Sequence, residues 1–459
     1  MAKKNQTVFV CQECGYESPK WLGQCICGAW NSFVEEKLSS GTEQVSDSRS
    51  RKVDGSRSKA TKLSEIKSNH KDRINTGIGE LNRVLGGGIV KGSLTLIAGE
   101  PGIGKSTLIL QTANNMAQST EKVLYVSGEE SEEQIKMRGD RIIKNIPDNL
   151  FLLSETNIET IGDIVADINP DFLIIDSIQT MYTDTLDSAP GSVSQIRSST
   201  NELMKIGKVK NIPIFIVAHV TKSGDLAGPK IVEHLVDCVL QFTGDRNQDL
   251  RILRANKNRF GTTSEIGAFE MKEEGLAEVE NISASFLEGL NGAGEGSIAT
   301  AVYEGTRPLL LELQALTSTA NAGFPRRTAI GVDINRLNMI IAVLERRGGI
   351  DLSTQDVYVN VVGGIKPEGT SIDLAVALAI YSSNNGIDTK GHTLAIGEIG
   401  LTGDLRSVRH ADKIAAEASR LGFKRIILPK KNAEKISLSG IQLIGVSNIR
   451  EATSILSSK

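Results

Sequence analysis

The chain has 459 residues, 39% of them apolar and 23% charged, with a formal net charge of −3 at pH 7. This length suggests about three domains with sizeable soluble cores, and the near-neutral balance excludes a globally basic nucleic-acid binder, so any such contact must come from local patches or an assembled channel. Aromatic residues at 4% argue against an aromatic-lined binding surface. No run approaches about 18 uninterrupted apolar residues and no hydrophobic signal segment opens the chain, which predicts a cytoplasmic protein with no membrane partner.

In chain order, the first element is a cysteine cluster. Four of the five cysteines fall between positions 11 and 27. Cys11-Gln12-Glu13-Cys14 is a C-x-x-C knuckle, and Cys25-Ile26-Cys27 is a second arm one residue shorter. In a reducing compartment such a cluster reads as metal rather than disulfide. Four thiolates at this spacing suit tetrahedral Zn²⁺, with Zn–S near about 2.3 Å; reactive thiols or a redox pair are the competing reading. Gly15 and Gly28 follow the two pairs, where a tight turn over the metal favours a residue without Cβ. Residues 1–34 are therefore predicted as a zinc finger whose metal supplies most of its folding energy. Residues 35–73, rich in Ser, Lys, Arg, Glu and Asp, are predicted as a flexible linker.

From 74 to 288, apolar strand-like runs alternate with helical patterns, the mark of an α/β domain with a largely parallel sheet. The first strong run, Ser93–Ala98, leads into Gly99-Glu100-Pro101-Gly102-Ile103-Gly104-Lys105-Ser106, a complete phosphate loop, and then into a helical pattern beginning at Thr107. Gly99 and Gly104 allow backbone N–H groups to approach phosphate oxygens, Lys105 is placed at the β/γ-phosphates of ATP, and the Ser106 hydroxyl is a ligand to Mg²⁺. The helix N-terminus faces the same anion.

The strand Val123–Ser127 ends near two carboxylates, Glu129 and Glu130. Glu129 is assigned as the base that activates the attacking water, with Glu130 as runner-up or acidic N-cap. Phe172–Asp176 is an apolar strand ending in a metal-holding Asp176. Ile214–Ala218 ends at His219, which suits sensing of the γ-phosphate or a structural role. Cys238 sits in an apolar run and reads as an inert core residue. Ser188–Arg197 reads as a small-polar loop leading into a helix and Thr221–Lys230 as a Gly/Pro-punctuated loop with two lysines; neither carries an aromatic platform. Lys257 and Arg259 lie two residues apart, so in a strand both point to one face.

The strand-terminal Glu129, Asp176 and His219 resemble a RecA-type motor. Lys257-Asn258-Arg259-Phe260-Gly261 matches the K-N-R-F-G motif of the bacterial RadA (Sms) recombination family, as do Tyr16–Gly23 in the knuckle and Thr76–Gly88 before the phosphate loop. The shortened Cys25-x-Cys27 arm departs from the family's two C-x-x-C pairs. The resemblance implies a RecA-like P-loop ATPase core between an N-terminal Cys₄ zinc finger and a C-terminal Lon-protease-like α/β domain. It implies a DNA-dependent ATPase and DnaB-type helicase, a hexamer acting on single-stranded DNA and branched recombination intermediates beside a RecA-type recombinase. It further gives Lys257 and Arg259 a role at a neighbouring subunit's nucleotide or at DNA, and it makes Ser188–Arg197 and Thr221–Lys230 candidate channel loops that would track the backbone of single-stranded DNA, the alternative being ordinary surface loops.

Residues 289–459 resemble the Lon protease domain in Gly363–Ile380, Gly397–Asp404 and Gly422–Pro429. That family joins a serine nucleophile to a lysine. Here Asp373 falls at the serine position and Asp412 at the lysine position, so a non-proteolytic scaffold is expected. Arg326, Arg327, Arg336, Arg346, Arg347, Arg406, Arg409 and Lys413 suit a phosphate-facing surface or ordinary solvated charge.

Overall fold

The computed structural model describes residues 7–11, 15–37, 62, 73–119, 121–219, 231–244, 249–279, 281–291, 294–320, 325–363, 366–367, 369–389 and 391–457. Cys14, nearly all of the expected linker and the Thr221–Lys230 segment lie outside the described residues. The chain divides into two compact units, residues 1–278 and 279–459.

At the N-terminus, β1 (Thr7–Cys11) pairs antiparallel with both β2 (Glu17–Ser18) and β3 (Phe33–Lys37). Among the described residues the apolar cluster there is Cys11, Cys25 and Phe33, with Phe9 and Ala29 against them. So small a core cannot offset chain entropy alone, which is the condition under which bound metal carries the fold.

The central α/β region begins with a hairpin of β4 (Arg73–Ile74) and β5 (Ile89–Val90) enclosing α1 (Gly79–Leu85). There follow β6 (Leu94–Gly99), α2 (Lys105–Gln118), β7 (Val123–Ser127), α3 (Glu132–Ile142), β8 (Leu150–Ser154), α4 (Ile158–Ile168) and β9 (Phe172–Asp176). Next come α5 (Val193–Lys210), β10 (Ile214–His219), α6 (Ile231–Leu235), β11 (Cys238–Thr243), β12 (Leu250–Asn258), β13 (Ile266–Lys272) and β14 (Gly275–Glu278). The described residues form a nine-stranded sheet ordered β14-β13-β12-β11-β6-β10-β9-β7-β8. Its β11-to-β8 part is parallel, and β12 to β14 continue it as an antiparallel meander.

Alternation along the strands explains why helices cover both faces. Ile97, Tyr125, Ile174 and Val217 pack with Leu108 and Met116 of α2 on one face. Leu96, Val126, Ile175 and Ile216 pack with Ile161 of α4 and Leu203 of α5 on the other. Local signals start the helices: Ser131 and Gln134 form a capping box at α3, and Ser192 accepts from the Gln195 N–H at α5.

The second unit contains α7 (Ile282–Phe286), β15 (Ser297–Glu304), β16 (Arg307–Thr319), β17 (Arg327–Ile330), α8 (Ile334–Val343), β18 (Gln355–Val361), α9 (Asp373–Asn385) and β19 (Thr393–Ala395). It ends with β20 (Glu398–Ile399), β21 (Leu405–Arg406), α10 (Ala411–Arg420), β22 (Arg425–Pro429), α11 (Lys430–Ala433), β23 (Gln442–Val446) and α12 (Ile449–Ser457). The described strands make a mixed sheet ordered β17-β18-β16-β15-β19-β22-β23. Every residue of α9 from Asp373 to Ile380 is buried, so this helix forms the unit's interior.

Candidate functional site

In a parallel α/β sheet the strand carboxyl ends open onto the ligand crevice. Here β6, β10, β9 and β7 are successive neighbours, with Gly99 level with His219 and Ser127 level with Asp176. The phosphate loop, Glu129, Asp176 and His219 therefore converge on one edge, as the order of strand-terminal residues implies.

Two glycines of the loop have positive φ: Gly102 at 80° and Gly104 at 113°, the latter immediately before α2. A Cβ on Gly99 would lie 2.7 Å from the Phe242 carbonyl oxygen, and one on Gly104 would lie 2.7 Å from Met271 Cε. The loop conformation thus depends on missing side chains. Lys105, the first residue of α2, is buried. Its Nζ donates to the carbonyls of Gly99 (2.8 Å) and Glu100 (2.9 Å) and lies 3.2 Å from His219 Nδ1. Burial pushes its pKa down to about 8, against the opposing pull of Asp176 and Glu129. A buried ammonium at a helix N-terminus, held by neutral acceptors, is short of negative charge; a nucleotide phosphate fits that deficit.

An ammonium can only donate, so His219 Nδ1 accepts and its Nε2 carries the proton. Nε2 lies 3.3 Å from Glu129 Oε2. The other Glu129 oxygen accepts from the Ser177 hydroxyl. These hydrogen bonds, His219 first and Ser177 next, with Lys105 nearby, hold the Glu129 pKa down at about 2 against the effect of burial. Glu129 is therefore an ionised acceptor linked to Lys105 through one imidazole. Glu130 instead pairs with Arg138, while its backbone N–H is bonded to the Ser127 hydroxyl. The geometry places Glu129 in the crevice network and turns Glu130 towards α3.

Asp176 is buried, and its Oδ2 accepts from the Tyr125 hydroxyl at 2.5 Å. Burial, then the Asp176 charge, pushes the Tyr125 phenol well above its ordinary value, so it remains a donor. The Asp176 carboxylate and the Ser106 hydroxyl are hard oxygen donors of the kind Mg²⁺ accepts. Sequence reading passed over Tyr125 and Ser177. The usable signals were a polar-tipped aromatic inside an aliphatic strand and a hydroxyl directly after Asp176.

Lys257 and Arg259 both engage this chain's own backbone and side chains. Lys257 Nζ donates to the carbonyls of Glu233 (2.7 Å), His234 (3.3 Å) and Val236 (2.8 Å), at the end of α6. Arg259, beyond the end of β12, lies 3.3 Å from Asp237. Cys238 is buried, and burial pushes its thiol up to about 12, in keeping with an inert core residue. The Ser188–Arg197 segment is a turn feeding α5, fastened by buried Gln195, whose amide donates to the carbonyls of Thr183, Leu186 and Ser188.

In the N-terminal ribbon, Cys11, Cys25 and Cys27 hold their sulfur atoms within 4.8 Å of one another, and Cys11 and Cys27 are 3.9 Å apart. Tetrahedral thiolates at Zn–S of about 2.3 Å stand about 3.8 Å apart, so this set fits zinc despite the shortened arm. Gly15 and Gly28 have φ of 68° and 93°, the left-handed turns expected after each pair.

In the second unit, Asp373 is the first residue of α9 and 1% exposed. Both its oxygens accept from the Arg336 guanidinium, and Oδ2 also accepts from the Ile399 N–H at 3.1 Å. Burial raises its pKa, while Arg336 and Ile399 pull it back. Asp412 is exposed on α10. Several of the basic residues have local partners: Arg327 binds the Gln355 and Leu352 carbonyls, Arg406 lies near Glu398 and Asp404, and Lys413 donates to Tyr303.

Three family patterns match the chain: a rubredoxin metal binding domain over residues 9–35, an AAA domain over 60–225, and subunit ChlI of Mg-chelatase over 322–432. The chain is 50% identical over 451 residues to the DNA repair protein RadA of Bacillus subtilis, covering 98% of each. It is likewise 50% identical over 459 residues to the DNA repair protein RadA of Halalkalibacterium halodurans, covering 99% of each. Among solved structures, the RadB recombinase aligns at a TM-score of 0.36 and 22% identity, covering 45% of this chain and 99% of that one. No described helix is long and apolar enough to cross a membrane. With a zinc ribbon, a RecA-like P-loop ATPase core and a Lon-like C-terminal domain in that order, this chain belongs to the RadA family of bacterial DNA repair proteins.

Proposed function

We propose that the protein is a DNA-dependent ATPase and a hexameric, DnaB-type helicase that acts on single-stranded DNA and promotes branch migration at recombination intermediates, beside a RecA-type recombinase. One observation carries the reading: Lys105, His219 and Glu129 are joined in a single hydrogen-bonded line. His219 ends β10, and the Thr221–Lys230 segment follows it in sequence. When the β/γ-phosphates take Lys105, His219 loses that partner, so nucleotide occupancy reaches the residue that introduces the DNA-contact segment.

Gly99, Gly102 and Gly104 shape the loop, and Glu100, Pro101, Ile103 and Thr107 complete it around the phosphates. Lys105 holds the β/γ-oxygens. Glu129 would activate the attacking water; Asp176 and Ser106 would hold Mg²⁺, which would supply charge neutralisation on the transferring phosphoryl group. In an assembled ring, Lys257 and Arg259 would exchange their present acceptors for a neighbouring nucleotide or DNA. Cys11, Cys14, Cys25 and Cys27 bind structural Zn²⁺.

The Lon-like domain acts as a scaffold and DNA-contact surface. Lon-type acyl transfer needs a serine with a lysine base, and a carboxylate neutralised by Arg336 offers neither function. Strand displacement on a forked duplex tests the motor. It should proceed with ATP and stop in Lys105→Ala; displacement undiminished in that variant contradicts the proposal. Digestion of an unfolded protein substrate by the purified chain would contradict the scaffold role.

A further inference from the structure

Asp176 reaches the crevice from β9, and the neighbouring strand β7 supplies its partner. Tyr125 is level with Ile174, and Asp176 is the next residue of β9 on the same face of the sheet. The Tyr125 ring is fully buried in the cluster formed with Leu108 of α2, so its hydroxyl is delivered at a fixed height beside the carboxylate. The contact to Asp176 Oδ2 is 2.5 Å, and among the described residues Tyr125 is the one side chain bonded to that carboxylate.

We infer that Tyr125 is a positioning residue for the metal centre: its hydroxyl fixes the rotation of the Asp176 carboxylate so that Oδ1 is turned to Mg²⁺. This rests on the assignment of Mg²⁺ to Asp176 made above. A carboxylate with one donor on one oxygen has a single preferred plane, whereas an unbonded one turns about its broad terminal torsion. Partners that orient metal ligands typically contribute 10–100-fold to metal affinity or activity. The strand needs an aromatic ring here for packing, which phenylalanine supplies equally; the hydroxyl is the extra group, and it has one partner.

The experiment uses the full-length protein and its Tyr125→Phe variant, with binding of a fluorescent ATP analogue followed across a Mg²⁺ titration. The variant should bind the analogue as the wild type does without Mg²⁺, while the Mg²⁺ midpoint rises roughly tenfold or more. Hydrolysis should recover as Mg²⁺ is raised. In an Asp176→Asn background the Tyr125→Phe change should add nothing, because its effect runs through that carboxylate. An unchanged midpoint overturns the inference, as does an equal loss of binding with and without Mg²⁺, which would make the hydroxyl a packing group only. Should the wild type gain nothing from Mg²⁺, the metal assignment falls and the inference with it. The DNA motor reading is judged separately, by the response of hydrolysis to DNA.

Discussion

Two helices of this protein begin with a buried charge, and they treat it in opposite ways. Lys105 opens α2 and Asp373 opens α9. A helix N-terminus carries partial positive charge, so the lysine is electrostatically misplaced and the aspartate well placed. Lys105 has carbonyls and one imidazole as partners, and burial lowers its pKa to about 8. Asp373 has a two-pronged guanidinium and a backbone N–H. The atoms bonded to Lys105 are neutral, with the nearest carboxylates acting only from a distance, whereas Asp373 is paired directly with a cation. A buried charge marks a binding site when its compensation is incomplete.

The largest expected effect is at Lys105. Its replacement by Ala should reduce ATP turnover by roughly 10²–10³-fold or more, the usual cost of losing one donor to developing charge. Glu129→Gln should fall in a similar range while retaining nucleotide affinity, since it removes the water-positioning carboxylate and leaves the loop intact. A steady-state ATPase assay with parallel nucleotide binding reads both.

Arg336→Ala probes the other helix. It strands Asp373 without its cation, and loss of one partner of a buried pair costs about 3–5 kcal/mol. Because 24% of the Arg336 side chain remains exposed, the lower end is expected. A denaturant melt should show the second unit destabilised, and nucleotide binding should not change. Arg336→Met with Asp373→Leu should recover most of the loss.

A smaller effect concerns pH. Bound phosphate needs Lys105 charged, but the free site holds it at about 8. Above that pH, binding must be accompanied by proton uptake, so affinity should fall as pH rises, by up to about tenfold per unit. Stability responds with the opposite sign. The folded-state pKa lies below the ordinary lysine value, so the Lys105 contribution is least favourable below about 8 and improves as pH rises towards that ordinary value. A nucleotide titration from pH 7 to 9.5 checks the affinity claim.

The smallest effect on turnover is expected from Cys27→Ser. Elemental analysis should find one zinc per chain in the wild type and a clear loss in the variant, with hydrolysis in the ATPase domain changed less than about twofold.

Much of this was legible in the sequence because the informative residues are local. The phosphate loop, the strands at 123–127 and 172–176 and the knuckle glycines each follow from short-range rules, and the observed strands and turns coincide with them. Glu129 was preferred over Glu130 on position alone; that the first joins His219 and the second Arg138 is visible only in the structure, since adjacent carboxylates leave the strand in different directions. Tyr125 and Ser177 were passed over because their partners lie 51 and 48 positions away in sequence. The cations of the K-N-R-F-G segment illustrate the same point. Their spacing suggested one shared face, and both reach the segment from Glu233 to Asp237, but the acceptors there, backbone carbonyls for Lys257 and Asp237 for Arg259, are about twenty positions away in sequence.

We propose that nucleotide state and DNA contact are coupled through Lys105, His219 and Glu129. The most direct test is an ATPase titration with single-stranded DNA on the wild type and His219→Ala. DNA should stimulate the wild type, and the variant should bind nucleotide but no longer respond to DNA. Equal stimulation of both proteins, or none in the wild type, would contradict it.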